Sequence, residues 1–326
     1  MNTSEKSLSR LLKGSLKRVD KEISINIKDE EKLITLTAGH LIKAKGKKIR
    51  PLLTLLIARI LNYKGSADVT LAVCIEFIHN ATLMHDDVID EGVVRRGKET
   101  LNKVWNNHSS VLVGDYLLSR CFEMMVEDGN IEVLKLLSST SSKIAQGEVL
   151  QLQHKGEVDM LEETYLKIIS AKTAELFAAA TKVGAILSDS NKKEKDALEF
   201  YGRNLGLTFQ IADDTLDYNA ELKLFGKKIG QDFFEGKITL PIILLYQKLE
   251  IEEKNNLINI FGKNTRDKDD LDKIIALINK HKIINECYQK AQHYINLASN
   301  SLSVFEDSKE KEILKNLTTF SLSRSF

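Results

Sequence analysis

A chain of 326 residues with 43% hydrophobic content is long enough to bury a large core, and its 47 Lys plus Arg against 46 Asp plus Glu exclude a general electrostatic attraction to nucleic acid. The cysteines, Cys74, Cys121 and Cys287, stand far apart without zinc-site or disulfide spacing, so a reduced, cytoplasmic chain is expected. No signal-peptide core opens the chain, and the run from Leu52 to Leu61 is too short and is broken by Arg59, so no transmembrane segment is expected.

Only Pro51 and Pro241 interrupt the sequence as prolines, and apolar residues recur at three- and four-residue spacing rather than in alternation. This pattern predicts helices at roughly 5–23, 30–44, 50–62, 66–90, 109–127, 131–153, 161–187, 193–219, 238–249, 268–280, 282–303 and 307–321. Breaks fall at turn-forming clusters such as Asp128-Gly129-Asn130 and Ser188-Asp189-Ser190-Asn191. Runs such as Phe177-Ala178-Ala179-Ala180 are apolar all round, as in helices buried inside a large bundle. With no long linker, one all-α domain over residues 1–326 is expected.

Candidate chemistry begins at Lys45-Gly46-Lys47-Lys48-Ile49-Arg50-Pro51, a basic turn with proline near the start of a helix. It reads either as an anion cradle using Lys47, Arg50 and backbone donors, or as an ordinary solvated loop. The stretch from His79 to Gly97 follows. There Asp86 and Asp90 lie on one helical face about 5.4 Å apart with Asp87 to the side, and Arg95 and Arg96 come close behind. Unpaired, the carboxylates repel. A Mg²⁺-type cation relieves that repulsion and often brings a phosphate into its shell, which the arginine forks also suit. A solvated acidic helix end is the competing reading. His79 and His85 read better as packed, hydrogen-bonded histidines than as metal ligands. Lys172, between Ala171 and Thr173-Ala174, points either into a cavity or to the surface.

Far downstream, Asp213, Asp214 and Asp217 repeat the spacing of Asp86, Asp87 and Asp90, again after an apolar helical run. Two such helices can present carboxylates to one another across a bundle cavity, as a cage for several divalent ions. Gly226-Lys227-Lys228-Ile229-Gly230 and Glu235-Gly236-Lys237 then form a Gly- and Lys-rich segment suited to closing over phosphates.

On these motifs, from about Lys45 to Pro241, the chain resembles the trans-isoprenyl diphosphate synthases, and most nearly their long-chain octaprenyl and solanesyl type. The resemblance implies the all-α isoprenoid synthase fold, a bundle of antiparallel helices around a deep central cavity, and a homodimer. It implies that Asp86, Asp87, Asp90, Asp213, Asp214 and Asp217 hold Mg²⁺ ions bridging the allylic diphosphate. Arg95, Lys172 and Lys227 match allylic-diphosphate contacts, with Thr173 beside them. Lys47, Arg50, His79 and Arg96 match the isopentenyl diphosphate site, and Gln210 and Lys237 further diphosphate positions. The chain departs from the family where Lys45-Gly46-Lys47 replaces the usual Gly-Gly-Lys.

The implied reaction ionises the allylic C–O bond, lets the isopentenyl double bond attack the cation, and leaves the final proton to the released diphosphate. No protein general base is needed. Water must be excluded, and the segment from Phe225 to Gly236 is the candidate closure. Family members limit product length with a bulky aromatic four or five residues before the first motif, where this chain has Thr82 and Ala81. A channel running back towards Ala67 spans about 28 Å of helix, room for a long product. Phe77 and Ile78 lie one turn deeper, and Phe122, Met125 and Val126 are candidates for its floor. The greasy product implies transient membrane contact on release.

Four other readings stand beside this one: a short-chain synthase, a class I terpene cyclase, a non-catalytic partner subunit, and a helical scaffold. The cyclases usually carry a different second motif, and partner subunits lose motif aspartates or arginines, which this chain keeps.

Overall fold

The computed structural model describes residues 3–28, 31–42, 48–95, 98–219 and 229–323. In chain order the helices are α1 (Thr3–Asn26), α2 (Lys32–Ile42), α3 (Ile49–Ile60), α4 (Ala67–Ile89), α5 (Leu101–Val104), α6 (Asn107–Asp128), α7 (Ile131–Gln153), α8 (Glu162–Ile169), α9 (Glu175–Leu187), α10 (Lys192–Asp217), α11 (Gln231–Glu235), α12 (Leu240–Lys248), α13 (Ile251–Phe261), α14 (Lys268–Lys280), α15 (Ile283–Ser301) and α16 (Lys309–Ser323). Two short strands, β1 (Val94–Arg95) and β2 (Lys98–Glu99), pair antiparallel, with Val94 opposite Glu99 and Arg95 opposite Lys98. The all-α expectation holds. The hairpin escapes a periodicity reading because two-residue strands carry no alternation to detect.

The helix ends follow local chemistry. Asn106 caps α6 by accepting from the Ser109 amide at 2.8 Å, and Gly129 closes the same helix at φ 75°. Helix α13, missed by the periodicity reading, starts with reciprocal capping between Glu250 and Glu253. The helix predicted over 161–187 is interrupted: residues Ser170–Ala174 form one π turn between α8 and α9. Such turns cluster at functional sites.

The described chain divides into two compact units. The first takes the chain up to Ser141 together with Ala179–Glu199. Its centre is α4, which packs on α1, α3 and α6. Leu71, Ala72, Val73, Cys74, Ile75, Phe77, Ile78 and Ala81 of α4 are all buried. That packing explains how a helix long and apolar enough to cross a membrane serves here as a core element. The second unit takes Ser142–Ala178 and the chain from Phe200 onwards. Its core joins Tyr165, Ile168 and Ile211 to Phe233, Leu240, Phe261, Leu271, Ile274 and Cys287.

Candidate active site

In the first unit, α4 ends at the first acidic set. Carboxylates at a helix C-terminus face the negative end of the helix dipole, so they need compensation. Asp87 obtains it within the protein. It is 3% exposed, and the Arg95 Nε donates to its Oδ1 at 2.6 Å. The hairpin carries Arg95 into place. Gly92 N donates to Asp87 O at 2.9 Å, and Asn102 Nδ2 reaches Asp87 O at 3.0 Å and Gly92 O at 3.2 Å. Burial pushes the Asp87 carboxyl up, the Arg95 guanidinium opposes the rise, and the neighbouring Asp86 and Asp90 add to it. Asp86 and Asp90 are half-buried, Asp90 forming the C-cap of α4. On the adjacent helix, Arg50 Nη1 lies 3.1 Å from His79 Nε2, so two residues matched to one diphosphate site touch each other.

In the second unit, α10 ends at the second acidic set, with Asp213 exposed, Asp214 buried and Asp217 half-buried. Asp214 is again the internal member, but its partners are neutral. Tyr165 Oη donates to Oδ2 at 2.7 Å and Gln210 Nε2 to Oδ1 at 2.7 Å. Thr173 Oγ1 in turn donates to Gln210 Oε1 at 2.7 Å, which orients the amide. Burial pushes the Asp214 carboxyl up to about 7, against the pull of Tyr165 and Gln210 and with the help of Asp213 and Asp217. Asp217 accepts at Oδ1 from the Gln231 amide at 3.1 Å and at Oδ2 from the Asp232 amide at 2.8 Å, so it caps α11. Burial raises Asp217 as well, and those amides restrain the rise.

The π turn lets adjacent side chains serve two helices. Thr173 turns to Gln210 on α10, while Lys172 Nζ pairs with Glu148 Oε2 at 2.6 Å and Gln151 Oε1 at 3.0 Å on α7. Lys172 is therefore tethered and half-buried rather than extended to the surface. Lys237 Nζ pairs with Glu235 Oε2 at 2.7 Å. Lys47, Arg96 and Lys227 lie outside the described residues, as does the start of the proposed closure, residues 225–228.

Ala81, Phe77 and Ile78 are buried in α4 and Thr82 is half-buried, donating to His79 O at 2.8 Å. Among the candidate floor residues, Met125 is buried, whereas Phe122 and Val126 are exposed on α6. The sequence reading missed Glu148, Gln151, Tyr165, Asn102 and the half-buried Asp232, whose amide Asp217 caps. Glu148 and Gln151 carried a weak signal, polar residues at three-residue spacing on one helical face; Tyr165 carried none.

Among the described residues, no three His, Cys, Asp or Glu side chains form a ready-made metal cage. The donor set still fits a hard divalent ion of the Mg²⁺ type, which commonly binds through one or two carboxylates while substrate phosphates and water complete its shell. Of the six aspartates, Asp213 is exposed and Asp86, Asp90 and Asp217 are half-buried.

A family model described as polyprenyl synthetase matches residues 31–278. The chain belongs to the polyprenyl synthetase family. With that membership it is a prenyltransferase of isoprenoid biosynthesis, in the all-α isoprenoid synthase fold. It is 37% identical over 317 residues to the octaprenyl diphosphate synthase of Escherichia coli K12, a match covering 97% of this chain and 98% of that protein. The crystal structure of a decaprenyl diphosphate synthase from Rhodobacter capsulatus superposes with a TM-score of 0.94 at 38% identity, covering 98% of this chain and 99% of that one. A polyprenyl synthase from Caulobacter crescentus CB15, solved with calcium and isoprenyl diphosphate, gives a TM-score of 0.93 at 38% identity, covering 98% and 97% of the two chains.

Proposed function

We propose that this prenyltransferase condenses isopentenyl diphosphate with an allylic primer, farnesyl or geranylgeranyl diphosphate, to build a long-chain all-trans polyprenyl diphosphate for quinone side chains. The observation that carries the reading is the repeated acidic helix end. In both sets the middle aspartate is braced inside the protein, and the outer aspartates keep some exposure to solvent.

The six aspartates hold several divalent ions in this reading, with Asp87, Asp214 and Asp217 also keeping their helix ends and α11 in place. The divalent ion in this reading is Mg²⁺, which neutralises charge developing on a departing diphosphate. Lys172 and Lys237, each already half-buried against a glutamate, exchange that partner for phosphate oxygens. Arg95 serves twice, bracing Asp87 and meeting the allylic diphosphate, which Lys227 also contacts in this reading. Gln210 and Thr173 orient the same end of the substrate. Arg50 and His79, with Lys47 and Arg96, take the isopentenyl diphosphate. The calcium and isoprenyl diphosphate in the Caulobacter enzyme's crystals support the divalent-metal part of this assignment.

A long product is supported by small Ala81 and Thr82 at the positions before Asp86, and by the long-chain relatives. A single catalytic domain is supported by the family model, which matches residues 31–278 as one stretch. A cytoplasmic homodimer is supported by Leu112, Phe122 and Val126, which α6 exposes on one side. Release of the product calls for brief membrane contact.

The test is to mix isopentenyl and farnesyl diphosphates with Mg²⁺, measure diphosphate release and chromatograph the products. Release with products longer than the primer is expected; no release returns the chain to the scaffold reading. Replacing Ala81 with Phe or Tyr should shorten the products, and an unchanged length distribution would count against a channel along α4.

A further inference from the structure

We propose that Arg266 is a positioning residue for the second acidic set, acting through α11. The proposal rests on the functional reading above for what α11 positions, and on the geometry alone for the positioning itself.

Helix α11 has five residues, too few to be stable by itself. Its N-terminal amides are held by the Asp217 carboxylate, and Gly230 N donates to Asp217 O at 2.8 Å. Its other end is held by one guanidinium. Arg266 Nε donates to Phe233 O at 2.8 Å and Nη2 to Phe234 O at 3.0 Å. The remaining nitrogen, Nη1, donates to Phe261 O at 3.0 Å and Lys263 O at 3.3 Å, just past the end of α13. One cation thus satisfies carbonyls at the C-terminal ends of two helices, where the dipole favours positive charge. The rings of Phe233 and Phe261 flank it, their centroids 5.9 and 5.7 Å from Cζ.

The fit is tight. Gly236 ends α11 at φ 75°, and a Cβ placed there would stand 2.7 Å from Arg266 Nη2. Immediately after it, Lys237 N donates to Asp232 O at 2.9 Å, so the lysine's backbone is part of the clamped block. Arg266 therefore fixes the block that holds Asp217 at one end and presents Lys237 at the other. A lysine cannot replace it, because four carbonyls in two directions need a planar, five-donor fork.

The experiment compares wild type with Arg266→Gln and Arg266→Lys, measuring thermal unfolding, amide hydrogen exchange, and kcat and KM in the diphosphate-release assay. In folded Arg266→Gln, amides of residues 230–237 should exchange at least tenfold faster while those of residues 86–95 stay unchanged. The kcat should fall about 10- to 100-fold, the scale of a small misplacement of catalytic groups, with KM for either substrate changing far less. Arg266→Lys should fall between the two, and it decides by the same measures if Arg266→Gln does not fold. Unchanged exchange at residues 230–237 overturns the proposal, and so does a folded variant that keeps wild-type kcat. A wild-type chain that releases no diphosphate removes the functional reading instead, and the exchange measurement alone then decides the clamp.

Discussion

The ends of α4 and α10 carry the same acidic spacing and bury the same member, yet they stabilise it differently. Asp87 leans on a full charge, the Arg95 guanidinium delivered by a hairpin. Asp214 leans on a phenol and a carboxamide, Tyr165 and Gln210. The third aspartates also part ways. Asp90 closes its own helix, while both oxygens of Asp217 are engaged by the amides that begin α11. Identical spacing therefore does not mean identical duty, because each carboxylate answers to the donors its own neighbourhood supplies. Burial raises both carboxyls; the Arg95 guanidinium opposes the rise at Asp87, while at Asp214, where only the neutral Tyr165 and Gln210 oppose it, burial pushes the carboxyl up to about 7.

The comparison breaks first at the residues where both sets should act alike. Asp86→Ala and Asp213→Ala are each expected to lower kcat by about 10³-fold, the scale of removing a group that stabilises charge in the transition state. Far-UV circular dichroism should not change. Activity near wild type in either variant would remove that residue from the metal-binding assignment.

The next largest difference concerns pH. The Asp214 value in the folded state, about 7, stands above its ordinary value of 3.8, so the folded protein holds this proton more tightly than the unfolded chain. The stability this contributes is complete below about pH 4 and is lost as pH rises to about 7. Metal-free protein should show that loss as a falling Tm across the window, and Asp214→Asn should make the slope shallower, leaving the part due to the raised Asp87 and Asp217. A slope unchanged in Asp214→Asn would assign it to those groups instead.

Smaller effects separate the two braces. Arg95→Met leaves a buried carboxylate without its cation and should cost about 2 kcal/mol in urea unfolding. Tyr165→Phe removes one neutral donor while Gln210 remains, and should cost about 1 kcal/mol. The reverse order would mean that the charged brace is the weaker one.

Much of this was readable in the chain. Periodicity revealed most of the long helices because each buries a stripe of side chains, and repetition of the acidic spacing marked α4 and α10 as a pair. Where the reading stopped, local pattern was too short or too distant. Helix α13 was announced only by Glu250 and Glu253, and the hairpin holding Arg95 is two residues wide on each side. The π turn left no mark, since one extra residue in a helix barely disturbs an apolar stretch as rich as Ile168 to Ala180.

By itself, the sequence determined the family, the all-helical class and the acidic pairs, because these depend on residue types at spacings set by the helix. The tertiary structure alone decided which carboxylate each motif keeps for internal use. Tyr165 is far from Asp214 along the chain, Glu148 far from Lys172, and Arg266 far from Phe233. A hydrogen bond between distant positions depends on how the helices pack, and no local spacing encodes that.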